Sequence, residues 1–446
     1  MKILITFYDL NDLGGIINNQ EGLIAGLRAL GHDVTVRKLV WKTEVRTARS
    51  GKGDKIHGEM DLLYDQRSGW TWTGDRVFAY KGTRNLKRWK EFASRFDLII
   101  WQIPVPSKAK ANLGNLDWLE LYDVNVPQVA YVHDGNLRDG APHIYAIQHH
   151  LSGVIGVHPC AYHALASVPL PRAMAFSPQM NIEQRIKEAD SALKERTGFF
   201  SLQTFKGWKH VEDLVRAIPH MNRNIKPRII AGGGIQWYYM TSPDKTKPAF
   251  RVNVADDPDC CVADVGKRIW DLALEYGMEY LGYVHNEQRE DTLQSVRLLV
   301  DPSWSTKYAK VGDHFNRVVV DALIAGAVPV ARNLGISTNE EGIGELFKPD
   351  EHYFMIPYDA TPKEFATYME AYHTVERRHH RDMVMAGRRE LVPHFDYRCT
   401  AQAFVDMAAG VPAGYYGGFD VGGYDSEMAE AGERLVNGFF SGKEAT

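Results

Sequence analysis

Residues 313–333 read "DHFNRVVVDALIAGAVPVARN". The segment runs from an Asp through an apolar, helix-patterned stretch into "VPVAR", a short strand-like run. A second Asp, Asp321, follows Asp313 by eight residues. At 3.6 residues per turn, that separation is a little over two turns and leaves both carboxylates on roughly one helix face. One reading makes Asp313 an N-cap and Asp321 a satisfied interior carboxylate. The other makes them a functional pair, and the rest of the chain has to decide between them.

Working outward, strand and helix signals alternate from end to end. "KILITFY" opens the chain as a β-type run, and "NNQEGLIAGLRALG" follows with Leu23, Leu27 and Leu30 at helical spacing. "DVTVRKLV", "FDLIIWQIPV", "PQVAYVHD" and "SGVIGVHP" are the next strands. After a polar helical stretch, "NIEQRIKEADSALKE", the alternation restarts with "GFFSL", "PRIIAGGG", "EYLGY", "RLLVDPS", "VPVAR" and "YFMIP". Short apolar strands separated by helices predict an α/β chain whose parallel sheets carry helices on both faces. Two Rossmann-like, doubly wound domains are expected, over 1–180 and 181–395. Residues 41–84 form an insertion in the first, and 396–446 hold a closing helix ("TAQAFVDMAAGV") and a Gly-rich tail. Such sheets place ligands at the carboxyl ends of their strands, so a central cleft facing both edges is expected.

Composition narrows the class. At 446 residues, 44% hydrophobic and 24% charged, the chain matches a globular protein of two or three domains. It contains no apolar run of the ~18 residues that a membrane helix needs, and no secretory leader pattern, so a cytoplasmic protein is expected. Four Cys, two of them adjacent, match neither a disulfide framework nor a zinc site. The net charge of −4 argues against generic nucleic-acid binding. Yet between Arg37 and Arg95 there are 15 Lys and Arg against 7 Asp and Glu. This is either a solvated face or a surface for a polyanion.

Candidate site residues fall at predicted strand ends. In "DLGGIINNQEG", Gly14 and Gly15 allow close backbone approach before a helix N-terminus, although a simple tight turn reads the same. There is no G-x-G-x-x-G dinucleotide fingerprint. "VAYVHDGNL" ends a strand with His133 and Asp134, a polar pair that is costly to bury without purpose, and His158 closes the next strand. Lys206 and Gly207 join the first strand and helix of the second domain, beside helix N–H groups suited to a diphosphate. Gly232 and Gly233, in "IIAGGG", let backbone lie against a base or ribose.

Taken in order, these elements resemble the large retaining GT-B glycosyltransferase family. "LLVDPSW" followed by "DHFNRVVVDALIAGAVPVARNLG" is similar to that family's signature with two Glu spaced E-x7-E, here both shortened to Asp. The resemblance implies that Asp313 contacts the donor sugar and Asp321 the ribose. The N–H groups of Phe315, Asn316 and Arg317 would face the diphosphate. It also implies His133 at the donor sugar, Asp134 near the acceptor hydroxyl, and Lys206 at the diphosphate. Carboxylates suit the first two roles because an ionised oxygen accepts several strong hydrogen bonds from hydroxyls. One departure is that Phe199 stands where many relatives carry an Arg nearby, with Arg317 or Lys307 as replacement charge.

Within that family, "AYVHDGNLRD", "AFSPQMNI" and "TFKGW" are similar to segments of the T-even type of bacteriophage DNA α-glucosyltransferases. The expected activity is therefore transfer of a sugar from a nucleotide-diphosphate sugar, with UDP-sugar the expected donor, to a hydroxyl on a modified base of duplex DNA. No cofactor or metal is required by this chemistry, because Lys206 and helix N–H groups meet the leaving charge. Arg84, Lys87, Arg88 and Lys90 in "TRNLKRWKEF" are the expected DNA contacts, interleaved with Trp41, Trp70, Trp72 and Trp89 as aromatic contacts for phosphates or an extruded base. A polysaccharide, lipid or small-metabolite acceptor is the alternative. A sugar-nucleotide-binding protein without transferase activity is the alternative of another class.

Overall fold

The computed structural model describes residues 1–8, 15–39, 83–103, 120–133, 144, 147–157, 169–192, 195–203, 209–231, 239–241, 248–250, 271–281, 284, 286–303, 317–332, 347–411 and 415–416. The chain forms two compact units. Met1–Met180 with His394–Phe419 makes the first, and the described residues of the second fall within Asn181–Pro393.

The first unit is built on a seven-stranded parallel sheet. Its strands are β1 (Lys2–Tyr8), β2 (Asp33–Leu39), β3 (Leu98–Ile103), β4 (Gln128–Val132), β5 (Gly153–Gly156), β6 (Arg172–Ala175) and β15 (Tyr415–Tyr416), in the order β15-β6-β5-β4-β3-β1-β2. Ile3 faces Val34 of β2 on one side and Leu98 of β3 on the other. Successive side chains of a strand point to opposite faces. Accordingly Ile3, Ile5, Leu98, Ile100 and Tyr131 pack under α1 (Gly15–Ala29), while Leu4, Ile99, Trp101 and Ala130 pack with Trp89 of α2 (Thr83–Ala93). Both faces are buried, so the strands read as continuous apolar runs rather than alternating ones.

The last helix, Tyr397–Ala408, belongs to the first unit and packs on its sheet. Its Ala401, Phe404 and Met407 share a core with Leu23 and Leu27 of α1. Gly26 is the reason the two helices approach so closely. A Cβ built there would stand 2.3 Å from the Tyr397 carbonyl oxygen. The entry to the helix is pinned by Gln179, whose N–H donates to the Phe395 carbonyl at 2.6 Å and whose carbonyl accepts from Tyr397 N–H at 3.2 Å.

The second unit repeats the plan with six parallel strands. These are β7 (Phe199–Gln203), β8 (Pro227–Ala231), β11 (Glu279–Tyr280), β12 (Leu298–Asp301), β13 (Val328–Ala331) and β14 (Phe354–Met355), in the order β11-β8-β7-β12-β13-β14. Strand order reverses between β1 and β3 in one sheet and between β7 and β12 in the other, which makes two topological switch points. A short antiparallel pair, β9 (Tyr239–Thr241) and β10 (Pro248–Phe250), stands apart from both sheets.

The described helices of this unit are α3 (Ile182–Ser191), α4 (Val211–Ala217), α5 (Asn286–Ser295), α6 (Arg317–Ala325), α7 (Pro362–Thr374) and α8 (Arg377–Glu390), together with one turn at 271–275. Every residue of α6 from Val318 to Ala325 is buried, Asp321 included. A helix covered on all sides is a core helix. Among the described residues, no helix is long and apolar enough to cross a membrane.

The expected α/β doubly wound architecture is what the chain adopts. Strand β6, "RAMA", falls outside the sequence expectation. Two Ala and an Arg carry little β-propensity, and the strand forms because β5 and β15 flank it.

Candidate functional site

In the first unit the carboxyl edge of the sheet is organised around His133, the residue directly after β4. All five β4 residues are buried, so the imidazole is held where the strand leaves the core. Its Nδ1 lies 3.2 Å from Asn19 Nδ2 on α1. The Asn19 carbonyl oxygen accepts in turn from the Ser177 hydroxyl, just beyond β6. With the amide so oriented, Asn19 donates to Nδ1 and the ring proton sits on Nε2. Tyr131 packs edge-on against the ring at 4.4 Å, backed by Phe404 of the last helix. Burial pushes the His133 imidazole down to about 3, so it is neutral at physiological pH. A neutral, oriented N–H donor is what this arrangement offers.

In the second unit the centre is Asp321, one turn after Arg317 at the start of α6. Its Oδ1 accepts from Arg185 of α3 at 2.7 Å, and Arg289 of α5 lies 3.7 Å from Oδ2. Arg185 also donates to Glu290 at 2.6 Å. Burial pushes the Asp321 carboxyl up, but the guanidiniums of Arg289, Arg185 and Arg317 outweigh it and hold the group at about 2. Glu290 shares the same cations from a less buried position. Burial and the Asp321 carboxylate push it above its ordinary value. The two carboxylates of the cluster are thus pushed apart, Asp321 downward and Glu290 upward. Two guanidinium contacts do not exhaust a carboxylate, which offers about four lone-pair sites.

The carboxyl edge of this sheet is braced in two further places. At the switch point, buried Asp301 ends β12 and accepts from Ser303 N–H at 3.1 Å and from its hydroxyl at 2.5 Å. Beyond β13, buried Arg332 donates to Asp213 at 2.8 Å and to the Tyr358 carbonyl. Asp213 lies in α4 and also meets His210, at 3.1 Å. Burial pushes Asp213 up, but His210 and Arg332 hold it below its ordinary value. This bridge fixes the helix that follows "FKGW" to the strand that ends the 313–333 stretch.

The expected site residues divide as follows. The structure brings Arg317 and Asp321 into one cluster, seats His133 at a strand end, and makes Gly15 the first residue of α1. Gly14, Asp134, His158, Lys206, Gly207, Gly232, Gly233, Lys307, Asp313, Phe315 and Asn316 lie outside the described residues, as do Trp41, Trp70 and Trp72.

Arg84, Lys87, Arg88 and Lys90 share the helix α2. Lys87 is exposed, 3.9 Å from Glu91, while Lys90 is held by Asp123 at 2.5 Å. Trp89 corrects the sequence expectation. It is fully buried, packs at a tilt against Trp101 with centroids 6.0 Å apart, and donates its indole N–H to the Leu121 carbonyl at 2.8 Å. An amphipathic basic helix needs an anchor on its apolar face, and Trp89 is that anchor rather than a contact for bases.

Asn19, Ser177, Arg185, Arg289, Glu290 and Asp301 were not singled out by sequence. "NNQEG" and "AFSPQM" carried the first two within recognised segments, but their pairing across the sheet is tertiary. Among the described residues, Glu351, His352 and Glu390 lie close enough to suggest a metal site. However, His352 Nδ1 already accepts from Lys348 N–H, and Nε2 meets Glu390 at 3.0 Å, leaving no ring lone pair for an ion.

By sequence, no protein-family model and no curated protein matches the chain. By structure, it matches glycosyltransferases over nearly its whole length. One is HepE of Anabaena in complex with UDP and glucose, with 15% identity over 92% of this chain and 99% of that one and a TM-score of 0.56. Another is an alpha-glucosyltransferase in complex with UDP and a 13-mer DNA containing an HMU base, with 12% identity, 92% and 99% coverage and a TM-score of 0.55. A third is a glycosyltransferase of Rickettsia africae, with 9% identity, 92% and 98% coverage and a TM-score of 0.54. The chain has the GT-B fold of these proteins.

Proposed function

We propose that the protein is a retaining glycosyltransferase that moves a sugar from a UDP-sugar to a hydroxyl on a modified base of bacteriophage DNA. The observation that carries the transferase reading is His133, a neutral imidazole oriented by Asn19 at the carboxyl end of a central strand. The likeness to a protein solved with UDP and glucose supports a UDP-sugar as the donor.

The donor nucleotide binds the second unit. Asp321 accepts from the ribose hydroxyls and Asp313 from the sugar, while Gly232 and Gly233 lie along the nucleoside. Lys206, Gly207 and the N–H groups of Phe315, Asn316 and Arg317 take the diphosphate, and Gly14 and Gly15 are assigned to donor binding. His133 donates Nε2–H to a sugar hydroxyl as positive charge grows on the ring. The acceptor oxygen bonds to the anomeric carbon as the bond to the diphosphate breaks. The acceptor proton passes to the leaving phosphate oxygen, and Asp134 steers the acceptor. Lys206 and the helix N–H groups stabilise the departing charge, so this chemistry requires no metal.

The DNA acceptor rests on the basic segment and on the neighbour solved with DNA. Its test is incubation with UDP-glucose and related donors and a duplex carrying hydroxymethylated bases, reading UDP release and the masses of the digested nucleosides. A mass increase of one hexose on the modified base is expected. UDP released only when a carbohydrate or lipid is supplied would move the acceptor to that class. One observation favours this second reading. Trp89 lies in the core and Lys90 is held by Asp123, which leaves helix α2 fewer groups free for DNA. Failure to release UDP with any acceptor or water would reduce the protein to a sugar-nucleotide binder.

A further inference from the structure

The opposite, amino edge of the second sheet holds a cavity of about 540 Å³, a volume within the range of small-molecule sites. Arg196 precedes β7, Arg297 precedes β12 and Gly326 precedes β13, and all three line it. The strands are parallel, so this cavity lies a full strand length from Asp301 and Ser303 at the carboxyl edge. It is thus separate from the proposed donor site. One stripe of α8, from Arg377 through Arg381 to Arg388, forms its wall.

Charge is unbalanced there, with five arginines lining the cavity against two carboxylates, Asp190 and Glu195. Three of the arginines are committed. Arg388 pairs with Asp190 at 2.7 Å and donates to the carbonyls of Leu323 and Ile324, Arg377 pairs with Glu195 at 3.0 Å, and Arg297 donates to the His373 carbonyl at 2.6 Å. Arg196 and Arg381 have no ion pair among the described residues. The Arg196 Nη1 is buried there with no hydrogen-bond partner. Burial, and then the neighbouring Arg388, lower the pKa of Arg196, so its guanidinium is held at a cost.

The start of α8 adds to the imbalance. A helix N-terminus carries partial positive charge and favours acids in its first turn. Here the N-cap residue, Glu376, makes no side-chain capping hydrogen bond, the first turn holds no acid, and Arg377 and Arg378 occupy the first positions. Guanidiniums placed against a helix N-terminus repel it, and an anion in the cavity relieves both terms together.

We propose that this cavity is a second ligand site, for a small metabolite bearing a phosphate monoester. Arg196 and Arg381 take the phosphate, and Arg377 at the helix start flanks it. Two otherwise unpaired guanidiniums match the nearly two negative charges of a phosphate monoester at neutral pH. The remaining volume, bounded by Val384 and Met385, accommodates the organic part.

The test uses the full chain with inorganic phosphate and glycerol 3-phosphate as probes, at constant ionic strength set with chloride. Calorimetric titration and thermal unfolding are the readouts. One phosphate per chain is expected, with glycerol 3-phosphate at least as tight. Arg196→Gln and Arg381→Gln should each weaken both probes at least tenfold. Unliganded Arg196→Gln should melt no lower than the parent, because it removes a cation that the fold holds at a cost. A structural role for Arg196 predicts the reverse. Arg381 is exposed, so Arg381→Gln keeps the test valid if the first variant fails to fold. Saturating UDP should leave phosphate binding unchanged. Displacement by UDP, equal affinity in both variants, or no response beyond that to chloride overturns the proposal. A chain that binds no UDP but loses phosphate binding in the variants upholds this site while removing the donor reading.

Discussion

Asp321→Asn is the substitution that best separates packing from chemistry. The replacement keeps the shape of the side chain and removes one buried charge from a cluster containing Arg185, Arg289 and Glu290. Breaking a buried pair typically costs about 3–5 kcal/mol, because the partner is left uncompensated. Here Glu290 remains to answer one guanidinium, so the loss should fall at the lower end, about 3 kcal/mol. The depressed Asp321 carboxyl has the same sign, since a group whose ionised form is favoured on folding adds stability. The sign follows from the depressed folded value. The contribution is complete above the unfolded pKa and is lost as pH falls through about 2.

Urea unfolding followed by circular dichroism, with hydrogen exchange of the α6 amides to localise the effect, measures the loss. Arg185→Gln combined with Asp321→Asn should cost less than the sum of the two, with a coupling of about 1–3 kcal/mol. A loss below about 0.5 kcal/mol, or additive effects, refutes the ion-cluster argument. Donor binding then reads the second role. If Asp321 also holds the ribose, UDP affinity should fall at least tenfold in the folded variant, whereas Arg185→Gln alone should affect it less.

His133 should remain neutral, with its proton on Nε2, down to about pH 4.5 by imidazole nitrogen NMR; a protonation midpoint near 6.5 would contradict the burial argument. Because its folded pKa is depressed, its stabilising contribution is complete above 6.5 and declines as pH falls toward about 3, and a pH–kcat/KM profile should show no His133 ionisation near neutrality. Gly26→Ala should destabilise the first unit by about 1–3 kcal/mol, read by urea unfolding, because the added methyl meets the Tyr397 carbonyl; an unchanged midpoint would show that the two helices separate freely. Reversing Arg84, Lys87, Arg88 and Lys90 together to Glu should abolish salt-sensitive binding to duplex DNA while sparing slow donor hydrolysis, and the same DNA affinity in the variant would remove α2 from the acceptor surface.

Most of the fold was legible because its signals are local. Continuous apolar strands such as "FDLIIWQIPV" and the spacing of Leu23, Leu27 and Leu30 follow from covering both faces of a parallel sheet. Strand "RAMA" was not legible, since its conformation comes from its neighbours. Nor was the return of the last helix to the first sheet. Its apolar stripe says that it packs, and only Gly26 meeting Tyr397 says where.

The candidate site was legible in kind more than in partnership. Strand-end polar residues stand out because burying them is costly, and this picked out His133; Asp321 stood out as a carboxylate inside an apolar helical run, eight residues after Asp313. What satisfies them comes from helices distant in sequence: Asn19 from α1 for the one, Arg185 and Arg289 from α3 and α5 for the other. Periodicity marks which face of a helix is buried, but it does not say which charge will face which.

The same limit explains Trp89. Basic residues interleaved with tryptophans give one pattern for two opposite arrangements, an aromatic platform facing solvent or an aromatic anchor beneath a charged face. In "TRNLKRWKEF" the helical period places Trp89 and Ala93 on the side opposite the exposed Lys87, and the core of the first sheet takes them. The charge argument for DNA therefore outlives the aromatic one. With its tryptophan in the core, what α2 retains for a phosphate backbone is the charge of its exposed side, Lys87 included.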